Sequence, residues 1–197
     1  MGKLLLIGPQ LAGKTTFLNS AKKIRTPENN NPTIKDSDTF WLGVKIGRII
    51  DTAGNPTQVL NNRDKLSRLF EESDAVAFMF NGKEFLSEIS NPQQAGVISS
   101  IIKNLLLPVW KDRRNKDLKL FFVANYNNDA HGGKYTIANS SPKELILKKI
   151  KEANENYFNK AHRLRYPFVE YFATNRFYCI DARNFEEVQR IGKMMLK

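Results

Sequence analysis

Short apolar runs recur along the chain, and several of them have the length of single β-strands. Lys3–Ile7, Asp74–Phe80 and Leu118–Ala124 are nearly continuous in hydrophobicity, which is typical of parallel strands that are covered on both faces. Two briefer runs, Phe40–Val44 and Arg48–Ile50, are separated by Gly47. The pattern therefore predicts buried central strands together with a pair of short strands.

Segments with helical spacing alternate with these strands. In Leu60–Glu72, for example, Leu66 and Leu69 repeat at the interval of a helix face. The pattern predicts helices over Thr16–Lys23, Leu60–Glu72, Gln93–Trp110, Ser141–His162 and Phe185–Leu196, and strands over Phe177–Ala182 and, as an additional strand, Phe168–Ala173. Alternating strands and helices indicate one α/β domain over residues 1–197 with a mainly parallel sheet. We expect ligands at the carboxyl ends of its strands.

Residues Gly8–Thr15, the phosphate loop, read Gly-Pro-Gln-Leu-Ala-Gly-Lys-Thr and match the pattern G-x-x-x-x-G-K-[ST]. A predicted strand precedes the loop and a predicted helix follows it, as the pattern requires. The glycines let backbone N–H groups turn toward phosphate oxygens, Lys14 reaches the outer phosphates, and the Thr15 hydroxyl can ligate Mg²⁺. The candidate nucleotide-binding residues here are Gly8, Ala12, Gly13, Lys14, Thr15 and Thr16.

A second candidate motif, Asp51-Thr52-Ala53-Gly54, follows a predicted strand. A carboxylate such as that of Asp51 suits the position behind a nucleotide-bound Mg²⁺. Gly54 can present its backbone N–H to a γ-phosphate without a side chain in the way. D-x-x-G alone is weak, because Asp and Gly are common turn residues, but it gains weight beside the phosphate loop.

With these motifs the chain resembles the Ras-like small GTPases and their bacterial relatives in the translation-factor class. The resemblance implies a P-loop NTPase fold, a Ras-like three-layer sandwich, that binds GTP or GDP with Mg²⁺. Asp51–Gly54 resembles the switch II motif, and Pro32–Ser37 resembles switch I. By this resemblance Thr33 closes over Mg²⁺ and the γ-phosphate, with Thr39 as the second candidate. A protein effector or activator would then bind the switch segments.

The chain departs from the family at the catalytic position. Asn55 follows Gly54 where many members place the glutamine that orients the attacking water, and its amide is one methylene shorter. We expect slow intrinsic hydrolysis that depends on a partner, with Lys14, Asn55 and Gln58 as catalytic candidates. Gln10 and Arg63 are further substitutes for the glutamine. Gln10 and Leu11 could also crowd an arginine offered by a partner.

The guanine-reading motif N-K-x-D of the family is altered. The predicted strand that ends at Ala124 is followed by Asn125-Tyr126-Asn127-Asn128-Asp129. Asn125 stands in the place of the motif's asparagine, and Tyr126 replaces the lysine with a ring that could stack on a base. Either Asn128 or Asp129 would face the guanine N–H groups, and an amide is not equivalent to a carboxylate there.

A last part of the resemblance concerns the end of the final strand. Asp181-Ala182-Arg183 resembles the S-A-K motif of the family, which implies that the Ala182 N–H faces the base oxygen. Ala173-Thr174-Asn175 is the competing alignment.

The net charge of +11 is the most unusual bulk property. Basic clusters such as Lys111–Lys116 could bind nucleic acid or an anionic membrane surface, but no nucleic-acid motif accompanies them, and a solvated surface is favoured. No apolar run approaches the ~20 residues of a transmembrane helix. A lone Cys179 and the absence of a visible signal peptide lead us to expect a cytoplasmic protein.

Two other functions compete with a GTPase switch. Nucleoside-monophosphate kinases have phosphate loops that also read G-P-x-x-A-G-K-T-T, but such an enzyme would leave Asp51–Gly54 without a role. The third hypothesis is a scaffold that binds a nucleotide without hydrolysing it, as Asn55 and the altered base motif suggest.

Overall fold

The computed structural model describes residues 2–22, 38–42, 45–51, 63–90, 97–114, 117–126, 143–149 and 176–197. The additional strand predicted at Phe168–Ala173, and most of the helix predicted to begin at Ser141, lie outside these residues.

The strands of the described residues form one six-stranded sheet. Its strands are β1 (Gly2–Ile7), β2 (Asp38–Leu42), β3 (Lys45–Asp51), β4 (Ala75–Asn81), β5 (Lys119–Asn125) and β6 (Phe177–Ile180). Their spatial order is β2-β3-β1-β4-β5-β6. The β2–β3 pair is antiparallel and the other four pairs are parallel, so the predicted α/β fold with a mainly parallel sheet is confirmed.

The register of the central strands brings their carboxyl ends to one edge. Leu6 in β1 pairs with Asp51 in β3 on one side and with Ala77 in β4 on the other. In the next pair, Asn81 at the end of β4 lies opposite Asn125 at the end of β5. The carboxyl ends of β1, β3, β4 and β5 therefore lie along the same edge of the sheet.

The helices between the strands are α1 (Lys14–Ala21), α2 (Arg63–Glu71), α3 (Gly82–Ser90), α4 (Val97–Ile101), α5 (Leu107–Asp112), α6 (residues 143–149) and α7 (Phe185–Met195). The sequence pattern did not predict α3, which begins immediately after β4. The side chain of Asn81 accepts hydrogen bonds from the N–H groups of Lys83 and Glu84, at 3.0 and 3.3 Å. Asn81 thus ends a strand and caps a helix.

The long helix predicted over Gln93–Trp110 is interrupted. A π-helical segment, Ile102–Leu106, separates α4 from α5. Of the two predictions for Pro108, the helix end is wrong, because Pro108 lies in the first turn of α5 and the helix continues to Asp112. The irregularity lies just before it, in the π-helical segment. Proline has no N–H to bond to the preceding turn, so a widened turn ahead of it is readily accommodated.

Two hydrophobic layers cover the faces of the sheet because alternate residues of each strand point to opposite sides. Leu4 and Leu6 of β1 belong to the layer of α1 and α7, with Phe17 and Ile191. Leu5 and Ile7 belong to the other layer, which α2 to α6 supply with side chains such as those of Leu66, Phe70, Phe85, Ile98, Val109 and Ile146. The molecule is therefore a three-layer sandwich around a buried sheet.

Candidate nucleotide-binding site

The phosphate loop has a backbone that only glycine fits at two positions. Gly8 has a φ of 143°, and a Cβ built on it would lie 1.9 Å from the carbonyl oxygen of Met79 in β4. Gly13 has a φ of 88°, and its Cβ would lie 2.2 Å from Nδ2 of Asn125. Both glycines are therefore required by close approach of neighbouring strands as well as by φ.

Lys14 is folded into the loop. Its side chain is 6% exposed, and Nζ donates to the carbonyl oxygens of Gly8 and Pro9 at 3.0 and 2.7 Å. The ammonium group is thus held beside the place where phosphate oxygens would enter. These hydrogen bonds keep a buried charge partnered.

The amino end of α1 also favours an anion. Gly13 precedes the helix in a left-handed conformation and offers no side chain to cap it, and its first turn holds no acidic residue. The partial positive charge of the helix end is therefore not offset by a carboxylate of that turn.

Asn125 joins the phosphate loop to the last strand. Its side chain is 7% exposed and lies against Gly13, while Oδ1 accepts a hydrogen bond of 3.1 Å from the N–H of Ala182. The amide therefore fixes the spacing between the ends of β5 and β6 and the loop. The role in base recognition predicted for Asn125 stays a prediction.

Sequence reasoning missed Ser20 as a part of this arrangement. The Ser20 hydroxyl, on the buried side of α1, donates to the carbonyl oxygen of Ala182 at 2.6 Å. Nε2 of Gln189 in α7 donates to the carbonyl oxygen of Ala21 at 3.1 Å. A serine among the buried residues of an amphipathic helix is the signal that could have indicated such a bond. The phosphate loop, α1 and the end of β6 therefore form one connected unit.

No protein-family model matches the chain, and no curated protein matches it significantly in sequence. Many solved structures match its fold, and two of them illustrate the likeness. The Era protein of Aquifex aeolicus, a point variant bound to GDP·AlF4⁻, has a TM-score of 0.56 and 17% identity. The mammalian SRP receptor has a TM-score of 0.60 and 15% identity. The chain therefore has the P-loop NTPase fold, a three-layer α/β sandwich with a mainly parallel sheet.

The extent of the two matches differs. The match to Era covers 100% of this chain and 57% of that structure. The match to the SRP receptor covers 98% of this chain and 99% of that one.

Two of the predicted metal ligands belong to elements that adjoin the phosphate loop. Asp51 is the last residue of β3 and pairs with Leu6, just before the phosphate loop begins. Thr15 is in the first turn of α1. A hydroxyl and a carboxylate are the hard oxygen donors that Mg²⁺ prefers, so this pair fits the ion. Thr39, the alternative switch I threonine, lies within β2 opposite Arg48.

The ring of Tyr126 is not where base stacking requires it. Tyr126 is 9% exposed and belongs to the layer of α2 to α6. A Cβ on Gly82 would be 2.8 Å from its ring carbon Cδ2, and Nζ of Lys83 lies 5.8 Å from the ring centre. Asn125, which is beside the phosphate loop, points to the opposite face of β5. The hypothesis that this ring stacks on the base is therefore not supported: the ring packs as core.

The N–H of Ala182 is not placed as the resemblance to the S-A-K motif implied. The residue is completely buried, and its N–H is already bonded to Asn125, whereas the resemblance implied that it faces the base. Arg183, on the other hand, is exposed.

Six predicted site residues lie outside the described residues: Thr33, Gly54, Asn55, Gln58, Asn128 and Asp129. Their roles stay predictions. The alternative alignment at Ala173–Asn175 lies outside as well.

Two arginines of the basic cluster Lys111–Lys116 make contacts that support the fold. The guanidinium carbon of Arg113 lies 3.6 Å from the centre of the Trp110 ring, and its Nη1 donates to the Trp110 carbonyl. The Arg114 N–H donates to Glu71 at 2.6 Å. These contacts hold the chain between α5 and β5. In the described part of the chain, no helix is long and apolar enough to cross a membrane.

Proposed function

We propose that the chain binds GTP and GDP with Mg²⁺ at the phosphate loop and acts as a molecular switch. The observation that carries this is the loop itself, in which two sterically required glycines surround the buried ammonium group of Lys14. A bound phosphate would replace the carbonyl partners of Lys14 with anionic oxygens. The ammonium would thereby exchange neutral acceptors for charged ones, which form stronger hydrogen bonds.

Each residue of the site has a role in this proposal. Lys14 and the N–H groups at the start of α1 bind the β- and γ-phosphates. Thr15 and Asp51 would hold Mg²⁺, and Thr33 would complete its coordination. The ion supplies positive charge that offsets the negative charge of the phosphates. Thr33 and Gly54 would contact the γ-phosphate, so that its loss on hydrolysis releases both segments and changes the surface offered to a partner.

Guanine is the base that we propose. The similarity of fold to Era, whose structure contains GDP·AlF4⁻, supports this choice. The rigid position of Asn125 beside Gly13 supports it too. Asn128 or Asp129 would face the ring nitrogens of the base.

We further propose that unaided hydrolysis is slow. Asn55 has a shorter amide than the glutamine that orients water in many relatives. Leu11 is 82% exposed at the rim of the loop, where it narrows the approach of an arginine from a partner. A protein activator would then supply or position the missing group.

Nucleotide binding is tested by titration with GTP, GDP, ATP and XTP in the presence of Mg²⁺. Lys14→Met keeps the buried stem and removes the charge, so it should weaken GDP binding by about 10- to 100-fold, as expected for lost charge-assisted hydrogen bonds. Lys193→Met, at an exposed position of α7, is the matched control and should bind like the unmodified protein. Equal binding by both variants would contradict the proposed site.

Turnover is tested separately with a single-turnover assay. Slow GTP loss that a partner accelerates supports the switch, and fast unaided turnover would contradict partner dependence. Unchanged GTP after long incubation with candidate partners would identify a scaffold. Transfer of phosphate from ATP to a nucleoside monophosphate would identify a kinase instead.

A further inference from the structure

In the turn between β6 and α7, residues Asp181–Asn184, all four backbone N–H groups donate hydrogen bonds to acceptors within the protein. The N–H of Asp181 donates to Oε2 of Glu187 at 3.1 Å, and that of Ala182 donates to Oδ1 of Asn125 at 3.1 Å. The N–H of Arg183 donates to Oδ1 of Asp181 at 2.9 Å, and that of Asn184 donates to the Asp181 carbonyl oxygen at 2.9 Å. A ligand that needs an N–H donor here must therefore displace an acceptor.

The position of this turn places it on the base side of the proposed site. Phosphates would lie at the end of β1, and Asp51, the residue proposed to bind the metal, is on β3, to one side of β1. The rest of the nucleotide would then extend to the other side, toward the ends of β5 and β6. Asn125 and Ala182 connect that end of the sheet to Gly13.

Two of the four acceptors are held by the fold, because the amide of Asn125 is buried and the carbonyl of Asp181 closes the turn. The other two are carboxylates, and that of Glu187 bonds the N–H of Asp181, next to the strand. The carboxylate of Asp181 is 32% exposed and bonds the N–H of Arg183, two residues further along the turn. It is held by the guanidinium of Arg183, with Nε and Nη2 at 3.2 and 3.3 Å, and that side chain is itself exposed.

We propose that Asp181 determines base specificity by occupying the Arg183 N–H. This inference rests on the proposed nucleotide-binding function. A 6-oxo group at this turn, as in guanine, is an acceptor and would gain that N–H only by displacing the carboxylate. The 6-amino group of adenine is a donor and can instead donate to the carboxylate. Asp181 thus lowers the preference of the site for 6-oxo purines over adenine.

The test compares the dissociation constants of GDP, inosine diphosphate and ADP, with Mg²⁺, for the unmodified protein and Asp181→Ala. Asp181→Ala frees the N–H of Arg183. The dissociation constant of ADP divided by that of GDP should therefore rise by about five- to tenfold, which is the factor that corresponds to the free energy of one hydrogen bond. Inosine diphosphate, which has the 6-oxo group but no 2-amino group, should follow GDP. Asp181→Asn keeps an acceptor and should change the ratio less.

Two control variants distinguish the backbone N–H from the charged side chains around it. Arg183→Ala combined with Asp181→Ala removes the freed guanidinium but keeps the backbone N–H, so the raised ratio should persist. Glu186→Ala removes a nearby carboxylate of α7 and should tighten all three nucleotides equally or not at all.

An unchanged ratio in Asp181→Ala, or equal tightening of GDP and ADP, would overturn this inference, because relief of charge repulsion alone acts on any diphosphate. If Lys14→Met weakens GDP binding but Asp181→Ala leaves the ratio of the ADP and GDP dissociation constants unchanged, only the inference about Asp181 fails. If none of the nucleotides binds to the unmodified protein, the proposed function itself fails.

Discussion

Leu11 is a strained residue at the rim of the phosphate loop. Its φ of 61° is left-handed, and its side chain is 82% exposed. A leucine in this region carries a penalty of about 1 kcal/mol, which burial of its side chain does not repay here. Asparagine tolerates the same conformation better.

Leu11→Asn should therefore raise the free energy of unfolding by about 0.5–1 kcal/mol, as measured by urea denaturation. The matched control is Met194→Asn, which also replaces an exposed apolar side chain but at a helical position of α7. There asparagine is a poorer helix former than methionine, so stability should fall by a few tenths of a kcal/mol. Equal destabilisation by both changes would show that Leu11 is not strained.

At this scale the sequence could predict the glycines and the lysine of the phosphate loop but not how the turn after β6 is bonded. Gly8, Gly13 and Lys14 follow from a motif whose spacing is fixed by local backbone geometry. Asn125 follows from its position after a buried strand. The hydrogen bonds of Asn125 and Ser20 to Ala182 join elements that are distant in sequence. A buried serine can indicate that such a bond exists, but its partner depends on how the elements meet in space.

At the scale of elements, α3 shows how a strand can pass directly into a helix. Asn81 is the last residue of β4, yet its side chain caps the N–H groups of Lys83 and Glu84. No turn residues intervene, so the apolar run of the strand and the spacing of the helix merge in the sequence. This is why the pattern did not predict the helix, although Asn81 and Glu84 have the spacing of a capping box.

Asn81→Ala should lower the free energy of unfolding by about 1 kcal/mol, because α3 loses the acceptor for two of its N–H groups. Asn81→Asp keeps the acceptor and adds a favourable charge at the helix start, so it should retain stability. Asn104→Ala removes an exposed asparagine whose side chain donates to Ser100 Oγ at 3.1 Å, and should cost less. Urea denaturation of the three variants measures these differences. A loss as large for Asn81→Asp as for Asn81→Ala would contradict the capping role.

At the scale of the whole molecule, the site couples two distant parts of the chain. Asn125 and Ser20 both bond to Ala182, so the phosphate loop and the end of β6 are held together. A ligand that binds only the folded loop should therefore protect β6 as well. Cys179, the single cysteine of the sequence, lies in β6 and can report this.

The folded thiol of Cys179 is suited to such a measurement. Burial, reinforced by the negative charge of Glu187, raises its pKa to about 12. The thiol therefore stays protonated and unreactive in the folded protein at about pH 8, whereas it reacts once the chain opens. Because the folded pKa is the raised one, the thiol's contribution to stability is fully present below the unfolded value and is lost as the pH rises through 12.

Saturating GDP with Mg²⁺ should slow alkylation of Cys179 by roughly 100-fold when the ligand is present at about 100 times its dissociation constant, since stabilisation by binding is then about 2.7 kcal/mol. Lys14→Met at the same GDP concentration should show a much smaller effect, and Lys193→Met the full one. An unchanged labelling rate in a protein shown to be saturated with GDP would mean that β6 opens without disturbing the phosphate loop. That result would contradict the coupling through Asn125 and Ser20, while leaving nucleotide binding intact.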